Sequence, residues 1–408
     1  MELYDFQKQA VKQALYKNKH FIIAPTGTGK TAIAINYIRE KVKLTGKQDV
    51  LIVTTASKAR TTDFEDECDL WNGEEFRKNL KSFEVISWHK LKAWQQTHTF
   101  DSKFYIIVWD EIQKASAGTS SGMGKAFLKI TKNNADWVGF TATPGDTWLK
   151  FYPYFVATGL SRNKTTFLNE YATVQRYKGY PEIVEWRHEA TLKAMWEKIS
   201  FAPDASKVLA ELPSETHKVI TFKKPTSYTK TLKTRTDADG EFLDTAGALC
   251  SELRRLCFTK DKQEWVKDFA ENLGTGAVMF FNFTKTGDLL EELLTKALKG
   301  VGKVWRIDGT HHEIPTKDTI GERDIVMCQW QSGSEALNLQ FLHYWVSIEP
   351  HYSYSTSVQA RGRIKRIGQE HPMFYYYLLT DNTIEQDIMK CLKGKSDFAE
   401  DAWFSGKE

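Results

Sequence analysis

The chain has 408 residues, 41% of them hydrophobic and 26% charged, with a formal net charge of +4. That length allows two or three domains, the composition is ordinary for a globular protein, and no apolar run approaches the roughly 18–20 residues needed to cross a bilayer, so no membrane partner is expected. A charge this mild does not by itself point to a polyanion, so any nucleic acid must be argued from motifs.

The first residues, Met1-Glu2-Leu3-Tyr4-Asp5, lack the basic and apolar regions of a signal peptide. The cysteines Cys68, Cys250, Cys257, Cys328 and Cys391 are scattered, with no CxxC pair, as expected of free thiols in a reducing cytoplasm rather than a zinc site or disulfide framework.

Residues 1–145 alternate short apolar runs with helical stretches, which predicts a parallel sheet covered by helices. The predicted strands are 21–24, 50–54, 104–109 and 137–141, apolar throughout as strands buried on both faces are. Ahead of the first, Gln7 can both donate and accept, which suits an adenine edge, and an ordinary surface glutamine is an equal reading. Directly after Phe21-Ile22-Ile23 comes Ala24-Pro25-Thr26-Gly27-Thr28-Gly29-Lys30-Thr31. This is a phosphate-binding loop between a strand and a helix. Gly27 and Gly29 let the backbone turn so that successive N–H groups face phosphates, and the helix N-terminus adds partial positive charge. Pro25, Thr26 and Thr28 complete the cradle, Lys30 reaches the β- and γ-phosphates of ATP, and the Thr31 hydroxyl binds Mg²⁺. The following helix carries Ile33, Tyr37, Ile38 and Val42 on one face and stops near Gly46.

The run Phe104 to Trp109 ends in Asp110-Glu111-Ile112-Gln113, and the last strand of this region in Thr141-Ala142-Thr143-Pro144. Acidic groups at the carboxyl ends of parallel strands sit where such sheets bind ligands. Asp110 is expected to hold Mg²⁺ and Glu111 to orient and deprotonate the attacking water.

Residues 146–215 are aromatic, mixed in charge and punctuated by Pro153, Pro181, Pro203 and Pro213, which predicts a helical linker or insertion. Residues 216–394 resume the alternation, with predicted strands 277–283, 303–307, 324–328, 343–348 and 374–379. Leu289, Leu290, Leu293, Leu294 and Leu298 give one helix an apolar stripe. Near its end Gln359-Ala360-Arg361-Gly362-Arg363-Ile364-Lys365-Arg366 places Arg363 and Arg366 three apart, on one face if helical, and guanidinium forks match phosphate oxygens. Residues 395–408 read as a polar, mobile tail.

The four motifs together resemble a superfamily 2 helicase and, within it, the Swi/Snf-type DNA translocases. Gln359 to Gln369 carries the closest likeness. Gly333-Ser334-Glu335-Ala336-Leu337-Asn338-Leu339, Met279 to Thr284 and Trp305 to Thr310 resemble further motifs of that family. The departures are Gln113 where the family has histidine, Ser334 and Ala336 where it has glycines, and Lys365 where histidine is common. The resemblance implies two RecA-like parallel-sheet lobes in tandem, an α/β fold, with ATP and Mg²⁺ at their interface, Gln113 and Gln359 among the nucleotide contacts, and Arg363 and Arg366 completing the site. It implies a monomeric, minimal motor of phage or bacterial kind that moves on DNA. The DNA contacts would come from Thr54, Thr55, Ser57, Ser87, Trp88 and His89 in the first lobe and Phe283, Thr284, Lys285 and Ser332 in the second. Such contacts grip phosphates without reading sequence. An RNA helicase of the same superfamily and a nucleic-acid-binding factor with a vestigial ATPase are the alternatives.

Overall fold

The computed structural model describes residues 2–97, 104–134, 136–177, 180–333 and 337–405. The chain divides into two compact units, Met1–Lys207 and Val208–Glu408.

The first unit is built on a six-stranded, all-parallel sheet. Its strands are β1 (His20–Ile23), β2 (Asp49–Thr54), β3 (Ser82–Ser87), β4 (Tyr105–Trp109), β5 (Trp137–Thr141) and β8 (Ser200–Phe201), in the order β3-β2-β4-β5-β1-β8. Side chains alternate between its two faces, and both faces are dry. Phe21, Leu51, Val53, Ile107 and Trp109 point into one core, while Ile22, Val50, Ile52, Ile106 and Val108 point into another. Helices α1 (Asp5–Tyr16) and α2 (Lys30–Thr45) close the second core with Ala10, Ala14, Ile33, Tyr37 and Ile38. α2 ends on Gly46 in the left-handed conformation at φ 68°, where a glycine carries no Cβ penalty.

Strand β3 was not among the predicted strands. Its Ser-Phe-Glu-Val-Ile-Ser sequence reads weakly because it is an edge strand, half-buried for most of its length. The segment expected as a helical linker or insertion is not wholly helical. Residues 146–207 pack as part of the first unit and include an antiparallel hairpin, β6 (Ala172–Tyr177) with β7 (Tyr180–Trp186), besides β8. Its aromatics are wall rather than linker: Tyr154 and Trp196 lie 4.9 and 5.6 Å from the Phe21 ring.

The second unit holds another six-stranded parallel sheet, made of β9 (Glu215–Phe222), β10 (Ala277–Phe281), β11 (Val304–Ile307), β12 (Ile325–Gln329), β13 (Tyr344–Ser347) and β14 (Met373–Thr380), in the order β11-β12-β10-β13-β14-β9. β9 escaped prediction because it is an exposed edge of mostly polar residues, yet it pairs with β14 from Glu215↔Met373 to Phe222↔Thr380. In the helix Thr284–Ala297, Leu290 and Leu294 are buried, but Leu289 is 50% exposed and falls outside the expected stripe. The expected mobile tail is docked as far as it is described. Phe398 is buried, its N–H donating to Tyr352 O at 2.9 Å, and Trp403 Nε1 donates to Asp387 Oδ2 at 2.9 Å. The five cysteines form no disulfide with one another, and Cys250 and Cys257 lie inside the small core that also receives Phe398. Ser334, Glu335 and Ala336 lie outside the described residues.

Among the described residues, no helix is long and apolar enough to cross a membrane, and no group of three or more His, Cys, Asp or Glu could hold a metal ion.

Candidate nucleotide site

Because the strands of the first sheet are parallel, their carboxyl ends gather at one edge, where loops of distant sequence meet. The loop after β1 turns through Gly27 at φ 77° and Gly29 at φ 76°, and Gly29 caps α2. Thr28 Oγ1 donates to Pro25 O at 2.8 Å, closing the loop on itself. Lys30 Nζ lies over the loop's carbonyls, donating to Ala24 O and Pro25 O at 3.2 Å each.

Gln7 is buried against this loop. Its Nε2 donates to Thr28 O at 3.0 Å, and its Oε1 accepts from Tyr4 N at 3.0 Å. Gly29 is favoured by its backbone angle, and a Cβ there would stand 2.5 Å from Gln7 Nε2 and displace that amide. Gln7 therefore acts first as a brace for the loop, with one amide hydrogen left beyond those bonds.

β5 is the direct neighbour of β1, and Ala24 N donates to Thr141 O at 3.0 Å across them. Thr141 Oγ1 accepts from Thr143 N at 2.9 Å, and Tyr154 Oη donates to Pro144 O at 3.0 Å. The Thr141–Pro144 turn is thus fixed to the phosphate loop on one side and to the aromatic wall on the other.

Asp110, past the end of β4, is 3% exposed. Its Oδ2 accepts from Thr54 Oγ1 at 2.7 Å and from Lys58 Nζ at 2.9 Å. Burial works to raise the Asp110 carboxyl pKa, but the Lys58 ammonium, the Thr54 hydroxyl and the charge of Lys30 outweigh it and hold the group below its ordinary value. Asp110 is therefore a carboxylate with the charge a cation requires. Glu111 adopts the left-handed conformation, φ 51° and ψ 52°, which costs a non-glycine residue of order 1–3 kcal/mol and is characteristic of functional sites. Gln113 Nε2 donates to Glu111 Oε2 at 2.5 Å, so this glutamine steers the glutamate.

A glycine cradle at a helix N-terminus, a lysine and a threonine following it, and a buried ionised aspartate at the next-but-one strand form a donor set that fits a nucleotide triphosphate and Mg²⁺.

The expected DNA contacts divide. Thr54 is fully buried with its hydroxyl given to Asp110, Thr55 is 3% exposed and Ser87 5% exposed. Trp88 is a core residue: it is 1% exposed, stacks on Trp109 at 5.4 Å, and donates Nε1 to Asp110 O at 2.8 Å. These four side chains are buried. Ser57 is half-buried and His89 exposed. In the second unit Thr284 and Lys285 are exposed, Ser332 is half-buried, and Phe283 lies with its ring 5.0 Å from the Arg254 guanidinium.

Arg363 and Arg366 converge, though not as a helix face. The helix Tyr354–Arg361 stops at the Gly362 cap, leaving both arginines in the turn beyond it. Their Nη1 atoms donate to the same acceptor, Leu337 O, at 3.3 and 3.0 Å. Leu339 N donates back to Arg363 O at 3.2 Å, and Gln369 Nε2 staples the turn through Ile364 O and Leu342 O. Gln359 is buried on the helix that precedes them. The residue that sequence reasoning missed is Lys58. Its partner is 52 residues away, and the only signal was its place immediately after Thr54-Thr55-Ala56-Ser57.

Residues 1–146 match the family described as "Type III restriction enzyme, res subunit". The chain is 30% identical over 128 residues to the "DNA repair protein RAD5" of Cryptococcus neoformans, a match covering 29% of this chain and 10% of that one. It is 29% identical over 162 residues to the "DNA 3'-5' translocase XPB2" of Sulfurisphaera tokodaii, covering 38% of this chain and 34% of that one. The chain thus spans about a third or less of the length of these two relatives. A solved structure titled "Sulfolobus solfataricus SWI2/SNF2 ATPase core in complex with dsDNA" aligns over 100% of this chain and 94% of that chain, with 15% identity and a TM-score of 0.44.

Proposed function

We propose, from the premise that this chain belongs with the superfamily 2 helicases and Swi/Snf-type translocases, that it is a nucleic-acid-dependent ATPase that moves along or remodels DNA in replication, recombination or repair. The observation that carries the reading is the convergence, at one edge of a parallel sheet, of the Gly27–Thr31 cradle with the buried, ionised Asp110 and the strained Glu111.

The backbone of the Gly27–Lys30 turn and the α2 N-terminus bind the phosphates, with Lys30 swinging from its loop carbonyls to them. Thr31 and Asp110 would hold Mg²⁺, which neutralises charge on the phosphate oxygens when bound. Glu111, held by Gln113, orients the attacking water and takes its proton. Arg363 and Arg366 are assigned to the charge that develops on the transferred phosphoryl group. Ser57, His89, Thr284, Lys285 and Ser332 are assigned to the DNA backbone, which makes binding sequence-independent and salt-sensitive. The free cysteines support a reducing, cytoplasmic setting.

The test is the steady-state ATPase rate with no nucleic acid, single-stranded, duplex and forked DNA, and RNA, with Glu111→Gln as blank. Stimulation of at least tenfold by duplex or forked DNA is expected. Stimulation by RNA alone would transfer the chain to the RNA helicases, and none by any of them would overturn the motor reading.

A further inference from the structure

Asp110 is gripped from a neighbouring strand. β2 pairs with β4 through Val53↔Trp109, and Asp110 N donates to Val53 O at 2.8 Å. Immediately beyond, Thr54 and Lys58 both donate to one carboxylate oxygen, Oδ2. An oxygen held by a hydroxyl and an ammonium at these distances cannot turn without breaking a charge-assisted bond.

Lys58 is itself held. Its ammonium is 5.4 Å from the Phe64 ring centre, and the short turn Lys58–Arg60 is pinned by Ala59 N to Thr55 O at 3.0 Å. The pair is enclosed, with 16% of the Lys58 and 4% of the Asp110 side chain exposed. A buried ion pair adds little net stability over apolar residues of the same volume. Its place at the functional edge of the sheet points to another use.

We propose that Lys58 is a positioning residue for Asp110. With Thr54 it forms a bracket that fixes the carboxylate and couples it to the segment 54–60, so that a nucleic acid strand engaging Ser57 shifts the strength with which Asp110 holds its cation. The inference rests on the ATPase reading above and deepens it. A Lys58 ammonium 2.9 Å from Oδ2 also opposes a cation at the same carboxylate, since like charges repel strongly where water is scarce. Removing it therefore has two effects of opposite sign: the cation binds more tightly and the carboxylate is less well aimed.

The test uses the full chain and the variants Lys58→Met, which keeps the stem over Phe64, and Lys58→Arg, which keeps the charge. Equilibrium binding of a fluorescent, non-hydrolysable ATP analogue is titrated with Mg²⁺, and turnover of ATP is measured with duplex DNA. In Lys58→Met the Mg²⁺ needed for half-maximal binding should fall at least threefold while turnover falls at least tenfold. Lys58→Arg should restore both toward the parent. Thr54→Val, nearly the same shape, should lower turnover in the same way and serves if Lys58→Met does not fold. A Mg²⁺ requirement and turnover unchanged from the parent, or both binding and turnover weakened together, would overturn the bracket. A parent chain that neither binds nor hydrolyses the nucleotide would instead overturn the ATPase reading on which it stands.

Discussion

Among the described residues, two of the enclosed lysine–carboxylate pairs, Lys262–Glu385 and Lys58–Asp110, differ in where the partners come from. In the second unit Lys262 and Glu385 are both 0% exposed. Lys262 Nζ reaches both carboxylate oxygens at 3.0 Å and the carbonyls of Ile348 and Leu378 at 3.2 Å, while Glu385 Oε2 also accepts from Thr380 N at 2.7 Å. Every partner belongs to the packed junction of β13, β14 and the helices Lys260–Asn272 and Ile384–Lys393. This pair joins elements. In the first unit, Lys58 and Asp110 sit at strand ends, beside the phosphate loop and the strained Glu111. The same chemistry serves packing where it is surrounded by backbone, and serves a reaction where it stands at the carboxyl edge of a sheet.

Breaking each pair sharpens this contrast. Lys262→Met leaves Glu385 buried without its counterion and should cost about 3–5 kcal/mol in chemical denaturation. The double change Lys262→Met with Glu385→Leu should recover most of that, because an apolar pair needs no desolvation. A single change that leaves stability intact would remove the distinction drawn here.

Gly29→Ala should come next. Its Cβ meets Gln7 Nε2 at 2.5 Å with φ at +76°, so the Gln7 side chain must shift and the backbone is strained. A stability loss of about 1–3 kcal/mol is expected, with nucleotide affinity down at least tenfold by the same fluorescent titration. Pairing it with Gln7→Ala should relieve the clash but not the backbone strain, giving partial recovery.

A further expected effect concerns acid. His20 is 1% exposed, with Nε2 buried and without a hydrogen-bond partner, and burial, aided by the charge of Lys17, pulls its pKa down to about 4. The unfolded imidazole titrates near 6.5. The unfolded chain therefore binds the proton first, so the contribution of neutral His20 to stability is intact above about pH 6.5 and is lost as pH falls toward 4. The parent melting temperature should drop across that interval, and His20→Phe should flatten part of the drop. An unchanged slope in the variant would show that other groups set the acid response.

What the sequence made legible follows from how far apart the partners are. The phosphate loop is a contiguous string whose function is written in its own glycines, and Asp110-Glu111 is marked by the apolar run it terminates. Lys58 was not legible because nothing local ties it to Asp110; the tie exists only once β2 and β4 lie side by side. Trp88 was legible only as a DNA contact implied by resemblance; its packing was not, since its ring stacks on Trp109 and its N–H donates to the Asp110 carbonyl, both distant in sequence. Arg363 and Arg366 were legible as a pair, while their geometry was not, since Gly362 ends the helix before either arginine is reached. The edge strands β3 and β9 and the β6–β7 hairpin lacked the apolar pattern because little or nothing covers them.

The measurement that bears most directly on the account separates binding from hydrolysis at the edge of the first sheet: ATP binding and single-turnover cleavage by the parent, Glu111→Gln and Lys30→Ala, each saturated with duplex DNA. The account predicts that Glu111→Gln binds ATP within about threefold of the parent yet cleaves it at least a hundredfold more slowly, the scale of a lost general base. It predicts that Lys30→Ala loses both binding and cleavage. Cleavage at the parent rate in either variant would contradict it.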